Sequence, residues 1–136
     1  HAGEENPALF EFLLDYLRWL DGTEQPIANL HLHFLLHLSG HLGFQPQGEL
    51  GGEVFFDLQE GVFMPVQPLH ALYLEPQQAM PLLELLDKPL HHCHEVALVR
   101  GARKDLLNGL LRFYQLHVPG FSDIHTPEVL EMVMEG

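Results

Sequence analysis

Seven of the eleven histidines in this chain fall in two short runs. The first, LHLHFLLHLSGHLG over residues 30–43, holds His31, His33, His37 and His41, and sets the last three four residues apart. The second is His91, His92, Cys93 and His94. Two imidazoles at i and i+4 on a helix can grip a divalent metal, so His33 and His37 are the candidate ligand pair. His41 and the His91–His94 cluster would be the source of further ligands. Against this, no acidic residue lies at helical spacing to orient the rings, as a dedicated metal centre requires. The same residues also describe a solvent-facing polar stripe and a polar turn. We take that plainer reading, with metal binding through His33/His37/His41 and His91–His94 as the alternative.

A second pattern is cationic. Four of the six basic residues, Arg100, Arg103, Lys104 and Arg112, fall within thirteen residues. Arg100, Lys104, Asn108 and Arg112 are four apart, so on a helix they form one slowly drifting stripe, with Phe113 beside it. On an acidic chain this is the place to hold an anion. Pairing with nearby acids on a solvated helix face is the alternative use of the same charges. No nucleophile elbow and no glycine-rich phosphate loop before a helix is present. Cys93 reads as a structural thiol. The chain does not read as an enzyme, and no cofactor is implied.

The elements that must position these residues are mostly helical. Asn6-Pro7 caps and starts a helix whose apolar side is Phe10, Leu13, Leu14, Leu17 and Leu20, and Asp21-Gly22 ends it. A second helix is expected from about Pro26 to Leu42, terminated by Gly43. Its apolar arc includes Leu32, Phe34, Leu35, Leu36, Leu38 and Leu42, with His31 inside it as a hydrogen-bonded core histidine. Asn29, His33, His37 and His41 fall on the side facing away from the core. EVFFDL and VFMPV, joined by a short QEG link, read as a β-hairpin, with Pro65 and Pro68 confining the second strand to an edge. Glu75-Pro76 opens a helix to about Leu86, a short segment carries KPLHHCHE, and a long helix covers about Gly101 to His117. His117 continues the Leu106, Leu110, Phe113 face. Thr126-Pro127-Glu128 starts a last short helix. The fold class is therefore mainly α: a compact helical domain with one small inserted β-hairpin at about 44–72, the whole of 1–136 forming one domain.

The bulk numbers agree. At 136 residues and 46% hydrophobic the chain has the size and composition of one packed domain. Its formal charge of −13 opposes bare phosphate backbone. No apolar run approaches the roughly 20 residues of a membrane span. A single cysteine suits a reducing compartment, and a start at His1 suggests an excerpt of a longer protein.

Several blocks in order, NLHLHFLLHLSGHLGFQP, FFDLQEGVFM, HALYLEP and FYQLHVPGFSDIHTPEVLEMVM, resemble the C-terminal part of the bacterial recombination mediator family RecO. The resemblance covers nearly the whole chain. It implies a non-enzymatic mediator domain of DNA repair, working in the RecF pathway of the bacterial cytoplasm and associated with the nucleoid during repair. The implied partners are RecR and the acidic, apolar-ended tail of single-strand DNA-binding protein (SSB), in support of strand annealing and RecA loading. Contact with single-stranded DNA would belong mainly to the family's N-terminal oligonucleotide-binding barrel, which this chain lacks. Arg100, Arg103, Lys104, Arg112 and Phe113 combine charge with an apolar surface and are the expected SSB-tail residues on chemical grounds. Many relatives build a zinc ribbon from four cysteines around the hairpin; Gly43 to Pro68 has none, so the family's zinc is not expected here. In this degenerate ribbon Val54, Phe55, Phe56, Phe63 and Val66 are expected to pack where the metal would be.

Overall fold

A computed structural model describes residues 6–48 and 51–121. Helix α1 (Pro7–Gly22) starts as its sequence dictates: the Asn6 side chain accepts from the Leu9 N–H at 3.1 Å, and Pro7 takes a position where no N–H is needed. Helix α2 (Leu30–His41) begins four residues later than the apolar pattern suggests. Asn29 does not cap it; its Nδ2 donates instead to the carbonyls of Cys93 (3.0 Å) and Val96 (2.8 Å), tying the helix start to a distant loop.

Strands β1 (Phe55–Asp57) and β2 (Val62–Met64) form the expected antiparallel hairpin, with Phe56 opposite Phe63. Gly61 makes its turn with φ of +71°, a conformation L side chains rarely adopt. A third strand that the sequence does not advertise, β3 (Tyr73–Leu74), pairs with the other side of β1, giving the order β2-β1-β3. The edge position expected for the second strand holds, though Gln47 bridges to Val62 along part of it. Helices α3 (Pro76–Asp87) and α4 (Arg100–His117) follow, separated by a 3-10 helix over Leu90–Glu95. The architecture is mainly helical with one small antiparallel sheet. The helix expected at Thr126-Pro127-Glu128 lies outside the described residues.

Helices α2, α3 and α4 meet around Leu32, Leu36, Leu82, Leu85, Leu106 and Leu110, all essentially inaccessible to solvent. The sheet closes one end of this core through Val54, Phe56, Phe63 and Leu74. Gly109 lets α4 approach β3, since a Cβ there would stand 3.1 Å from a Leu74 methyl. Of the residues expected to replace the ribbon's metal, Val54, Phe56 and Phe63 are buried and Phe55 is half-buried against Tyr73, but Val66 is exposed beyond the end of β2.

Two expectations about facing are overturned. Helix α1 buries Tyr16 and leans on α2 through Phe12 and Tyr16; Phe12 lies 5.6 Å from the Phe34 ring. The expected apolar face is largely outside, with Phe10, Leu13, Leu17 and Leu20 between 36% and 62% exposed. The rings of Phe12 and Tyr16 fill the seam, pairing with His33, Phe34 and His41 of α2. The polar stripe of α2 is also turned inward: His33 is 3% exposed and His37 half-buried, so only His41 of the three is exposed.

Candidate functional site

Of the inward histidines of α2, His33 is held by a backbone carbonyl and a phenol. His33 bonds through Nε2 to the Lys88 carbonyl, which can only accept, so Nε2 carries the proton. Nδ1 is then an acceptor, and the Tyr16 hydroxyl donates to it. Burial pushes the His33 pKa down to about 4, with its backbone bond opposing and His37 assisting; the two rings lie 4.1 Å apart. Burial likewise lowers His37 and His31, and raises the phenol of Tyr16. His31 lacks the expected partner among the described residues, where its buried Nε2 has none. His117 does have one, with its Nε2 donating to the Leu58 carbonyl at 2.9 Å while its ring stacks on Phe44.

No group of three or more His, Cys, Asp or Glu side chains is arranged to hold a metal ion among the described residues. His33 is spent on the seam between α1, α2 and the loop after α3, and His37 is half-buried with its ring against that of His33. In the 3-10 helix, His92 Nδ1 bonds to Glu95 at 2.6 Å and Lys88 stands 3.6 Å from the same carboxylate, which these contacts hold below its usual pKa range. Cys93 is buried, and burial raises its pKa, the opposite of an activated thiol. The described residues of the hairpin likewise form no donor set for zinc. Its turn is organised by Asp57, whose Oδ1 accepts from the N–H groups of Gln59 (2.9 Å) and Glu60 (3.0 Å) and from His70 Nε2 at 3.0 Å. The metal alternative is therefore not favoured.

The cationic residues divide into two kinds. Arg100, Lys104 and Arg112 are exposed on α4. Arg103 is half-buried, and its guanidinium donates to the Leu98 carbonyl at 2.6 Å. Phe113 does not join them. It is 0% exposed, wedged among Phe44, Phe56 and His117 and facing Gly61, so it offers no surface to a peptide. A residue next to Arg112 in sequence points about 100° away from it on a helix, and here that direction is the core.

What Arg103 does adjoin is a cleft of about 220 Å³ lined by Pro26, Ala28, Asn29, His94, Val96, Ala97 and Leu98. Asn29 is 4% exposed and has spent its Nδ2 on two carbonyls, which leaves Oδ1 an acceptor with no partner among the described residues. Among the described residues His94 Nδ1 is also buried and unpartnered. Sequence reasoning placed Asn29 in a polar stripe and His94 among alternative metal ligands, and missed that the two share a cleft, because nothing local joins Asn29 to residues 93–103.

A mainly helical chain with a small antiparallel sheet and a cationic helix face is the class these features define. The family described as "Recombination protein O C terminal" matches residues 1–123, and the chain belongs to that family. It is similar to the DNA repair protein RecO of Phocaeicola vulgatus, 34% identical over 128 residues, covering 93% of this chain and 53% of that protein. Similarity to RecO of Flavobacterium psychrophilum is 34% over 133 residues, covering 98% and 55% of the two. For RecO of Bacteroides fragilis it is 32% over 133 residues, covering 96% and 55%. The chain thus spans about half the length of the curated relatives it matches. No solved structure matches it. No helix among the described residues is long and apolar enough to cross a membrane.

Proposed function

We propose that this chain is the partner-docking part of a RecO-type recombination mediator in DNA repair, a single domain with an inserted hairpin that does no chemistry of its own. The observation that carries it is the exposed row of Arg100, Lys104 and Arg112 on α4, in a chain whose formal charge is −13. A cationic strip on an acidic body attracts an acidic peptide and repels long stretches of phosphate backbone. The partner it fits is the acidic tail of SSB. Arg103, beside the cleft that Asn29 and His94 line, offers a seat for the carboxylate at the end of such a tail, and Asn29 Oδ1 offers an acceptor for its last N–H.

On this reading the domain brings SSB, and RecR through a separate surface, to the site of strand annealing and RecA loading in the bacterial cytoplasm. Contact with single-stranded DNA belongs mainly to the half of the relatives' length that this chain does not span. The test is charge reversal. Arg100→Glu with Lys104→Glu is expected to weaken binding of an SSB-tail peptide about tenfold or more and to flatten its salt dependence. Unchanged affinity in a folded variant would remove the α4 strip from the reading.

A further inference from the structure

The ends of α2 and α4 meet the hairpin turn around a cleft of about 540 Å³, larger than the one beside Arg103. Its lining includes Gly40, Phe44, Gln45, Gln47, Glu60 and His117. The volume falls in the range of roughly 300–1,000 Å³ usual for ligand sites. Backbone bonds fix the three walls. Gln47 N–H donates to the Gly61 carbonyl at 2.9 Å, and the Gln47 carbonyl accepts from Phe63 N–H at 2.7 Å, so this segment runs beside the hairpin turn. Phe44 N–H donates to the Ser39 carbonyl at 2.8 Å, folding the chain back over the end of α2. The bond from His117 to the Leu58 carbonyl, 2.9 Å long, ties the end of α4 to the same turn.

The polar groups collected here are mostly acceptors. Glu60 supplies a carboxylate. His117 spends its Nε2 proton on Leu58, which makes Nδ1 an acceptor in the neutral ring. Gln47 uses an amide N–H on the Gln45 carbonyl at 3.2 Å and keeps Oε1 as an acceptor. The Gln45 side-chain oxygen lies against Gly40, where a Cβ would collide with it. Helix α2 ends at His41 and α4 at His117, so two helix C-termini, each worth about half a negative charge, stand at the cleft. Neither helix has a Lys or Arg in its last turn to offset that charge, and none lines the cleft among the described residues.

Such a set selects a cation that carries several N–H donors. An ammonium is a compact point charge, whereas a guanidinium spreads five N–H groups in a planar fork that can reach acceptors on separate segments. Phe44 and His117, stacked with their planes 8° apart, give the cleft a flat wall suited to a planar group. A formal charge of −13 attracts a basic partner and repels a second copy of this chain. The cleft is separate from the cationic strip, since Arg100 and Lys104 precede His117 by about 20–25 Å along α4.

We infer that this cleft receives an arginine side chain presented by a basic partner protein, with Glu60 as its counter-ion. The test is a titration of the isotopically labelled 136-residue chain, read by the shifts of its backbone amides in NMR spectra. The probes are a capped Gly-Ser-Arg-Ser-Gly peptide and the same peptide with the arginine replaced by neutral citrulline. The arginine peptide should move the amides of Phe44, Gln45, Gln47, Glu60, Gly61 and His117 saturably, and the citrulline peptide should bind at least fivefold more weakly. Glu60→Gln should weaken the arginine peptide about three- to fivefold, as expected for an exposed charge pair. Arg100 and Lys104 stay untouched, so failure here leaves the reading of the α4 strip standing. Equal shifts with the two peptides, or shifts scattered over the acidic surface and indifferent to Glu60→Gln, would overturn the inference. Should Glu60→Gln disturb the β1–β2 amides, the comparison of the two peptides decides alone.

Discussion

Tyr16 on α1 donates its hydroxyl hydrogen to Nδ1 of His33 on α2, and the opposite nitrogen of the same ring donates to the Lys88 carbonyl beyond α3. One neutral imidazole therefore ties three separate segments together. The Tyr16 ring covers it, and Phe12 and Phe34 continue the seam.

Removing the hydroxyl should show what that tie contributes. Tyr16→Phe keeps the ring but leaves His33 Nδ1 a buried acceptor without a donor, so the domain should lose about 1–3 kcal/mol of stability by urea denaturation. His33→Ala deletes the ring and orphans both the Tyr16 hydroxyl and the Lys88 carbonyl, and should cost more. A Tyr16→Phe variant as stable as the parent would mean that water replaces the bond.

Acid should loosen the same seam. The folded-state pKa of His33 is about 4, against an ordinary value near 6.5, and His31 and His37 are shifted in the same direction. Between the two values the unfolded chain binds more protons than the folded one, so stability rises with pH there. The contribution of these histidines is fully present above about pH 6.5 and declines as pH falls toward about 4, with His33 alone worth on the order of 3 kcal/mol. Thermal unfolding followed at Trp19 from pH 7.5 to 4.5 checks this. A flat Tm across that range would contradict it.

The hairpin should be indifferent to chelators. Asp57 gathers two backbone N–H groups and His70, and His70 is fixed in turn by the Leu72 N–H on its Nδ1 at 3.0 Å. These hydrogen bonds organise the turn through protein groups alone. EDTA should leave Tm unchanged, whereas Asp57→Ala should lower stability by about 2 kcal/mol through three lost hydrogen bonds. A fall in Tm on adding EDTA would show that metal contributes after all.

Neighbouring residues on α4 should behave in opposite ways. Phe113→Ala opens a cavity among Phe44, Phe56 and His117 and should cost about 3–5 kcal/mol. Arg112→Ala should change stability by less than about 0.5 kcal/mol, because its side chain is exposed. Chemical denaturation of the two variants separates core from surface on this helix.

Several element boundaries were legible because they depend on local chemistry, although α2 starts four residues later than its apolar pattern suggests. Asn6-Pro7, the QEG turn and Glu75-Pro76 each act within a few residues, and the structure starts or turns where they stand. Facing was less legible. A helical wheel treats histidine as polar, yet His33 is buried because Tyr16, seventeen residues away, and Lys88, fifty-five away, complete its hydrogen bonds. The wheel also favours the leucines of α1 over Phe12 and Tyr16, whose aromatic partners lie on another helix. The two-residue β3 is too short to leave a period. At the candidate site the charges could be read from the sequence, but not the inward turn of Arg103, the burial of Phe113 or the unpartnered oxygen of Asn29, since each is set by contacts made across the chain.

The central claim is that α4 presents a docking strip for an acidic peptide. The most direct measurement is a fluorescence-anisotropy titration of this chain with a labelled SSB-tail peptide at low and high salt. The account predicts saturable binding that weakens as salt rises. Absence of binding by a chain shown to be folded would contradict it and would move the tail site to the part of the relatives that this chain does not span.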